Sequence, residues 1–382
     1  MTSSQQQPVP PTRIDFSAED REWIAERIKT VLETGRLTLG PFGEEFEGKF
    51  AQSIGAKHAI AVNSGTSSLE IMLRAVGVEG KDILVPANTF FATASAVIAA
   101  GGRPVLMDTD VATLSTSLAE VERRLTPNTA GIMIVHIAGV ITAEMPAIAA
   151  LARRKGLWLM EDAAHAQGSS LDGKFAGTFG LAGSFSFYPT KVMTSAEGGM
   201  IVTDDAKLDS EARIYRDQGK AGFYQNVHIR MGYNWRMSEP HAIIGLRHLF
   251  NVPDMLAARR RIAARYDAAL GALAAKRPEA PRPLAVPKGC VSNYYKYVVM
   301  LPEKVERAPL KARLKDEFGV QCSGEVYEVP LHKNPVLTHL DTGDLIGADA
   351  ACGRQLCLPI FASMTDSQAD RVIAAFEAIY RA

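Results

Sequence analysis

The chain has 382 residues, 47% of them hydrophobic and 22% charged, with 42 acids against 42 bases. That length suits a large domain joined to a smaller one, and the charge balance leaves no net field to draw it to nucleic acid or an anionic membrane. Four late cysteines, none spaced as a CxxC pair, make a disulfide framework or a zinc site a poor reading.

Residues 1–12 are rich in Ser, Gln and Pro and read as a disordered tail without the apolar stretch of a signal peptide. No run approaches the roughly 18 apolar residues of a membrane span, so a soluble cytoplasmic protein is expected. A polar helix is predicted to start at the Ser17–Asp20 cap. From there to about residue 205, short apolar runs alternate with helical patterns. The runs are Ala59–Val62, Ile83–Val85, Pro104–Met107, Gly131–Val135 and Leu157–Met160, with Gly199–Val202 closing the series. Each is too short for a helix and reads as a strand buried on both faces. Helical stretches, Ser67–Ala75, Phe91–Ala100 and Pro146–Arg154, lie between them. The rhythm predicts an α/β fold, a mostly parallel sheet with helices on both faces, in a large domain over 13–250. A long helical region, Ser238–Ala275, carries a predicted interruption near Asn251–Pro253. A Pro-rich connection, a strand over Tyr294–Leu301 and helices over Ala308–Glu317 and Asp366–Tyr380 give a smaller α+β domain over 251–382.

Parallel sheets bind ligands at the carboxyl ends of their strands, so the loops there carry the functional reading. Asn63–Leu69 follows a strand and opens a helix; Ser64, Gly65, Thr66 and Ser67 form either an anion cradle or an ordinary cap. It is neither GxGxxG nor GxxxxGK[ST], which argues against a dehydrogenase or a P-loop NTPase. Phe90 ends the next strand and suits either a core position or a stack on a flat ring. Glu161–Gly168 brings Asp162 and His165; Asp162 reads as a helix cap, a metal ligand or the partner of a cationic ring nitrogen, and no metal-type His spacing accompanies it. Lys191 closes Ser184–Lys191, between an apolar strand and the Glu197–Gly199 turn. It is either a surface lysine or a desolvated amine fit to attack an aldehyde. Taken together, a phosphate cup, a ring stack, an acid and a lysine are the four needs of pyridoxal 5'-phosphate (PLP).

At these residues the sequence resembles the DegT/StrS-type sugar aminotransferases of the fold-type I PLP superfamily. The matching pieces are Ser64–Ser67, Thr89-Phe90, Glu161–His165, Ser186–Lys191 with Glu197–Gly199, Gly232–Met237 and Val329–His332. The resemblance implies a seven-stranded sheet. It makes Lys191 the Schiff-base lysine and proton shuttle, and gives Asp162 the pyridine nitrogen. Phe90 would cover the ring, His165 would sit at its phenolic edge, and Gly65, Thr66, Ser67 and Ser186 would hold the phosphate. It further implies Asn234 reaching the phosphate of a neighbouring subunit, hence a homodimer with shared active sites, and His332 near the sugar. The implied reaction moves an amino group from L-glutamate, through pyridoxamine 5'-phosphate, to an NDP-4-keto-6-deoxy sugar. A cyclitol ketone or a 3-keto sugar is the alternative acceptor, and a PLP-binding regulator without turnover is the alternative of another class. Arg247-His248 departs from the family, where many relatives carry Gln-Leu.

Overall fold

The computed structural model describes residues 7–222, 226–340 and 342–381. Helix α1 (Ala18–Thr34) starts where the sequence predicts. Ser17 Oγ accepts from the Asp20 N–H at 3.0 Å, and Asp20 Oδ2 accepts from the Ser17 N–H at 2.8 Å, a reciprocal cap. Helix α2 (Pro41–Ile54) takes proline at its first position, where a missing N–H costs nothing. Strand and helix then alternate: β1 (His58–Val62), α3 (Gly65–Val76), β2 (Asp82–Pro86), α4 (Phe91–Ala99) and β3 (Arg103–Met107). The alternation continues through α5 (Leu118–Arg124), β4 (Thr129–Val135), α6 (Met145–Lys155) and β5 (Trp158–Asp162). A small hairpin, β6 (Ser170–Leu171) with β7 (Lys174–Phe175), precedes β8 (Ala182–Ser186) and β9 (Gly199–Thr203).

Seven strands form one sheet in the order β1-β9-β8-β5-β4-β2-β3. Only β9 runs antiparallel to its neighbours. Side chains alternate across it. Ile60, Val62, Ile83, Val85, Met133 and Met160 pack into one layer, and Ala61, Leu84, Ile132, Ile134 and Leu159 into the other. This is the mostly parallel seven-stranded α/β sheet that the sequence leads one to expect.

After α7 (Ala206–Arg216), α8 (Glu239–Lys276) runs 38 residues without the interruption predicted near Pro253. Two cores hold it continuous through the proline. Ala242, Leu246 and Leu249 pack under the large sheet, and Ile262, Tyr266 and Leu270 pack into the smaller unit. A boundary at residue 250 therefore falls inside one helix that both units share. The smaller unit adds β10 (Arg282–Pro283), β11 (Cys290–Val291), β12 (Tyr297–Met300), α9 (Arg307–Phe318), α10 (Ile346–Arg354), β13 (Gln355–Leu358) and α11 (Asp366–Ile379). β10, β12 and β13 form its antiparallel sheet, while β11 pairs back to β6 of the large unit. The strand predicted from Tyr294 starts three residues later, because Tyr294 takes a left-handed φ of 49° that no strand accepts.

The tail expected over 1–12 also differs. Val9 is fully buried in the small-unit core and bonds in parallel with Val320, with its N–H on Gly319 O at 2.9 Å. Residues 1–6 lie outside the described residues. Among the described residues no helix is long and apolar enough to cross a membrane.

Glu239 ties the two ends of the large unit. Its carboxylate, 1% exposed, accepts from the N–H groups of Gly40, Phe42 and Gly43 at 2.9–3.0 Å, capping α2 from a site 199 residues away at Gly40. Glu239→Ala strands those buried donors and should cost about 2–4 kcal/mol. Glu239→Gln, which keeps an acceptor, should cost less. Urea unfolding with an unchanged slope measures both; equal midpoints for the alanine variant and the parent would refute the capping role.

Candidate active site

The carboxyl ends of β1, β2, β5 and β8 open onto one cavity of about 420 Å³, closed on its far side by Tyr295, Val326 and Tyr327 from the smaller unit. At the end of β1, Ser64 caps α3: its Oγ accepts from the Ser67 N–H at 3.1 Å and lies 2.9 Å from Ser67 Oγ. The cap and the cradle are thus one feature. Ser64, Gly65 and Thr66 line the cavity with Ser186 opposite. Backbones meet closely here. A Cβ on Gly65 would stand 2.8 Å from Ser186 Cβ, and one on Gly199 would stand 2.4 Å from the Ser64 carbonyl. Only glycine allows this approach, which explains Gly65 at the start of α3 and Gly199 at the start of β9.

Asp162 ends β5, 5% exposed. Its Oδ2 accepts from Thr93 Oγ1 at 2.8 Å and its Oδ1 from the Ala164 N–H at 3.1 Å; Thr93 in turn meets Thr89 Oγ1 at 2.8 Å. Burial raises its pKa, and the two hydrogen bonds, then the charge of Lys191, oppose the rise. Lys191 lines the same cavity, its Nζ 4.9 Å from the Tyr295 ring centre. Burial lowers its pKa from 10.5 to about 8; the Asp162 charge works against that and Lys296 adds to it. About a tenth of the amine is therefore uncharged at pH 7, far more than for an ordinary lysine. His165 stacks on Tyr295 at 4.2 Å, and its Nε2 lies 3.2 Å from the Tyr327 hydroxyl. Burial lowers its pKa well below 6.5, so it is neutral. Its Nδ1 has no hydrogen-bond partner among the described residues.

Phe90 stands at the mouth, 59% exposed, 6.3 Å from the Tyr327 ring. Lys191, Gly65, Thr66, Phe90, Asp162, His165 and Ser186 are thus gathered in one cavity. Three predicted residues are not. Ser67 is spent on the cap. Asn234 is exposed on the stretch that bridges to Asp217. His332 lies elsewhere, its Nε2 3.0 Å from Asp349 Oδ1, a carboxylate shared with Lys333 at 2.7 Å. Sequence reasoning missed Thr93, Tyr295 and Tyr327. Thr93 had a signal, since Thr89 and Thr93 sit four apart at a helix start; Tyr295 was read into a strand, and Tyr327 lies in an irregular stretch with no pattern.

PLP fits these residues. Asp162 is a buried carboxylate whose charge needs a cation beyond its two hydrogen bonds, which a protonated ring nitrogen supplies. The start of α3 with Ser186 suits a phosphate, and the Lys191 amine, with its lowered pKa, suits an aldehyde.

In the cofactor-free protein, the amine-labelling rate at Lys191 should follow a midpoint near pH 8, against 10.5 for an ordinary lysine. Asp162→Asn removes the charge that favours the protonated amine and should move the midpoint lower still. A midpoint near 10.5 in the parent would show the amine to be solvated.

Comparison with known proteins gives a consistent result. The model of the DegT/DnrJ/EryC1/StrS aminotransferase family matches residues 18–377. A GDP-perosamine synthase from Caulobacter vibrioides is 36% identical over 365 residues, covering 95% of this chain and 96% of its own. The crystal structure of DesV from S. venezuelae superposes with a TM-score of 0.91 at 30% identity, over 99% of this chain and 100% of that one. NtdA from Bacillus subtilis, solved with bound cofactor PMP, superposes with a TM-score of 0.90 at 27% identity, over 100% and 87%.

Proposed function

This chain belongs to the DegT/DnrJ/EryC1/StrS aminotransferase family, and from that premise we propose that it passes an amino group from L-glutamate to the ketone of an NDP-4-keto-6-deoxy sugar. At the coarser level it is a PLP-dependent sugar aminotransferase of amino-sugar biosynthesis. The observation that carries the reading is Lys191: a buried amine with its pKa lowered to about 8, facing the same cavity as the buried carboxylate of Asp162.

Each residue has a task set by its place. Asp162, fixed by Thr93 and the Ala164 N–H, would hold the ring nitrogen protonated. The first turn of α3 and Ser186 would hold the phosphate. Phe90 and His165 bound the ring, and His165 is kept in place by its stack on Tyr295 and its contact with Tyr327. The bound cofactor supplies an electron sink for the bonds at the amino-bearing carbon. Lys191 would carry the proton to and from the amino-bearing carbon in both halves, for which its amine must be uncharged. Tyr295, Tyr327 and Phe90 give the cavity aromatic walls, suited to the apolar faces of a sugar ring.

The finer claim is a homodimer. Phe90 and Tyr188, 59% and 49% exposed, stand at the cavity, and Val227, Ile229 and Met231 are exposed just before Asn234. An apolar rim of this kind is what a second subunit covers. Asn234 would then complete the phosphate site of the other chain.

The visible absorbance of the holoenzyme should fall on adding L-glutamate and return with 2-oxoglutarate. Lys191→Ala should abolish that change and lower turnover by about a hundred- to ten-thousandfold, the usual weight of a positioned acid–base group. An unchanged spectrum with glutamate would remove it as the donor. For the shared site, subunit exchange between inactive Lys191→Ala and Asn234→Ala dimers should restore activity, since one mixed site has both residues intact. No recovery despite exchange would place Asn234 in its own chain's site.

A further inference from the structure

A second cavity, of about 570 Å³, opens between α2, α8 and the β6–β7 hairpin, with Val291 of β11 at its edge. It shares no lining residue with the cavity of Lys191. Its size is that of a pocket for a small organic ligand.

The floor is apolar. Phe50 and Ile54 of α2 and Leu249 of α8 belong to the core of the large unit, and their outer edges face the cavity. One end is closed where the chain after Gln167 lies directly on α8. Gly168 has a left-handed φ of 72°, and a Cβ there would stand 2.5 Å from Leu256 Cδ1. Phe250 and Val291 stand at the rim, 43% and 45% exposed. Large apolar side chains left half in water beside an apolar floor are stabilised by an apolar body that covers both.

The charge around this floor is one-sided. Lys49 and Arg260 line the cavity, and no carboxylate does. Neither cation forms an ion pair among the described residues. Arg260 donates through Nε to the Ser292 carbonyl at 3.0 Å and through Nη2 to the Gly168 carbonyl at 3.4 Å. These bonds fix the guanidinium without neutralising it. Its Nη1 makes no hydrogen bond and is not sealed from solvent. Burial lowers the pKa of Arg260, and the groups that oppose the fall are Tyr294 and Cys290, both neutral at pH 7 because burial pushes their own pKa values up. No acid therefore answers this charge, and a guanidinium does not give up its proton. Lys49, on the other helix, adds a second charge from an exposed position.

An apolar floor with two unanswered cations suits a ligand that has an apolar body and one negative end. We propose that this cavity binds a straight-chain monocarboxylate, its alkyl chain on the Phe50–Leu249 floor and its carboxylate at Arg260 and Lys49. A neutral apolar ligand would leave both charges unanswered, and a sugar would leave the floor uncovered by anything apolar. The site stands apart from the aminotransfer reading and does not depend on it.

Isothermal titration of the holoenzyme with hexanoate, octanoate and decanoate, below their micelle concentrations and at constant ionic strength, tests it. One saturable site per chain is expected, with affinity rising by about fourfold for each added methylene that is buried. 1-Octanol, which has the chain without the charge, should bind about tenfold more weakly than octanoate or worse. Lys49→Glu places an acid at the rim and should weaken octanoate binding by about tenfold. Arg260→Gln keeps donors for the carbonyls of Ser292 and Gly168, removes the charge and should weaken it as much. Retained cofactor absorbance and a cooperative melt show that each variant is folded; if Arg260→Gln does not fold, Lys49→Glu decides alone. An alkanoate bound in the Lys191 cavity would be indifferent to both changes. No saturable binding in the parent, equal affinity for octanol and octanoate, or unchanged octanoate affinity in either folded variant would overturn the proposal. Self-association that Phe250→Ser abolishes, with no alkanoate binding, would assign this face to a second copy of the chain instead.

Discussion

A carboxylate buried at the end of β5 sets the terms for the rest of this molecule. Removing a charge from water costs several kcal/mol unless hydrogen bonds and an opposite charge replace the solvent. Thr93 and the Ala164 N–H supply the hydrogen bonds to Asp162, and Lys191 supplies a positive charge across the cavity. The neighbour on the strand, Glu161, points to the opposite face of the sheet, as the two-residue period requires. It is fully buried, accepting from His136 Nε2 at 2.8 Å and from the N–H groups of Gly177, Phe179 and Gly180. The backbone between them is fixed too, since the His136 N–H donates to Asp162 O at 3.1 Å. The end of β5 is therefore clamped on both faces, which fixes Asp162 at the cavity.

The same constraint shapes how the two units join. The cavity around Asp162 and Lys191 needs cover over the strand ends, and the smaller unit provides it on one side with Tyr295, Val326 and Tyr327. Its placement is overdetermined. α8 threads both cores, β11 pairs with β6, and Asn293 donates to the carbonyls of His165 and Gln167 at 2.8 and 3.0 Å. Thr190 Oγ1, beside Lys191, meets the Tyr295 hydroxyl at 3.2 Å. The low dielectric that lowers the pKa of Lys191 and neutralises His165 is thus made by both units together.

How much of this was legible in the sequence follows from the range of each interaction. The strands of the large unit were readable because each is a short apolar run buried on both faces, and the α1 start because Ser17 and Asp20 cap each other locally. Helix α8 was misread because a proline is a local signal for a break, whereas the packing of Leu249 and Ile262 in two different cores is a tertiary fact. Val9 was misread for a similar reason: a polar, Pro-rich context masked one residue whose burial depends on Val320, more than 300 positions away. In the site, Lys191, Asp162 and Gly65 stood out because each sits where a strand ends. His332 did not reach the cavity, because its ring is held by Asp349, seventeen residues on in a different element.

That division has a physical cause. A phosphate, a ring nitrogen and an aldehyde must be met by backbone N–H groups, a carboxylate and an amine at fixed spacing, and only strand ends and helix starts fix spacing so tightly. Such constraints leave motifs: Gly65 and Gly199 are confined to glycine by contacts of 2.8 and 2.4 Å, whatever the substrate. The residues that close the cavity obey no such rule. Tyr295 follows a left-handed Tyr294, and Tyr327 lies in the stretch after α9 that has no regular structure; each acts through one ring. A ring needs only to arrive at a place, so many local sequences can deliver it, and no spacing betrays it. The strand-end loops that line the cavity are accordingly written in contiguous motifs, while its far wall is assembled from isolated side chains that only the folded chain brings together.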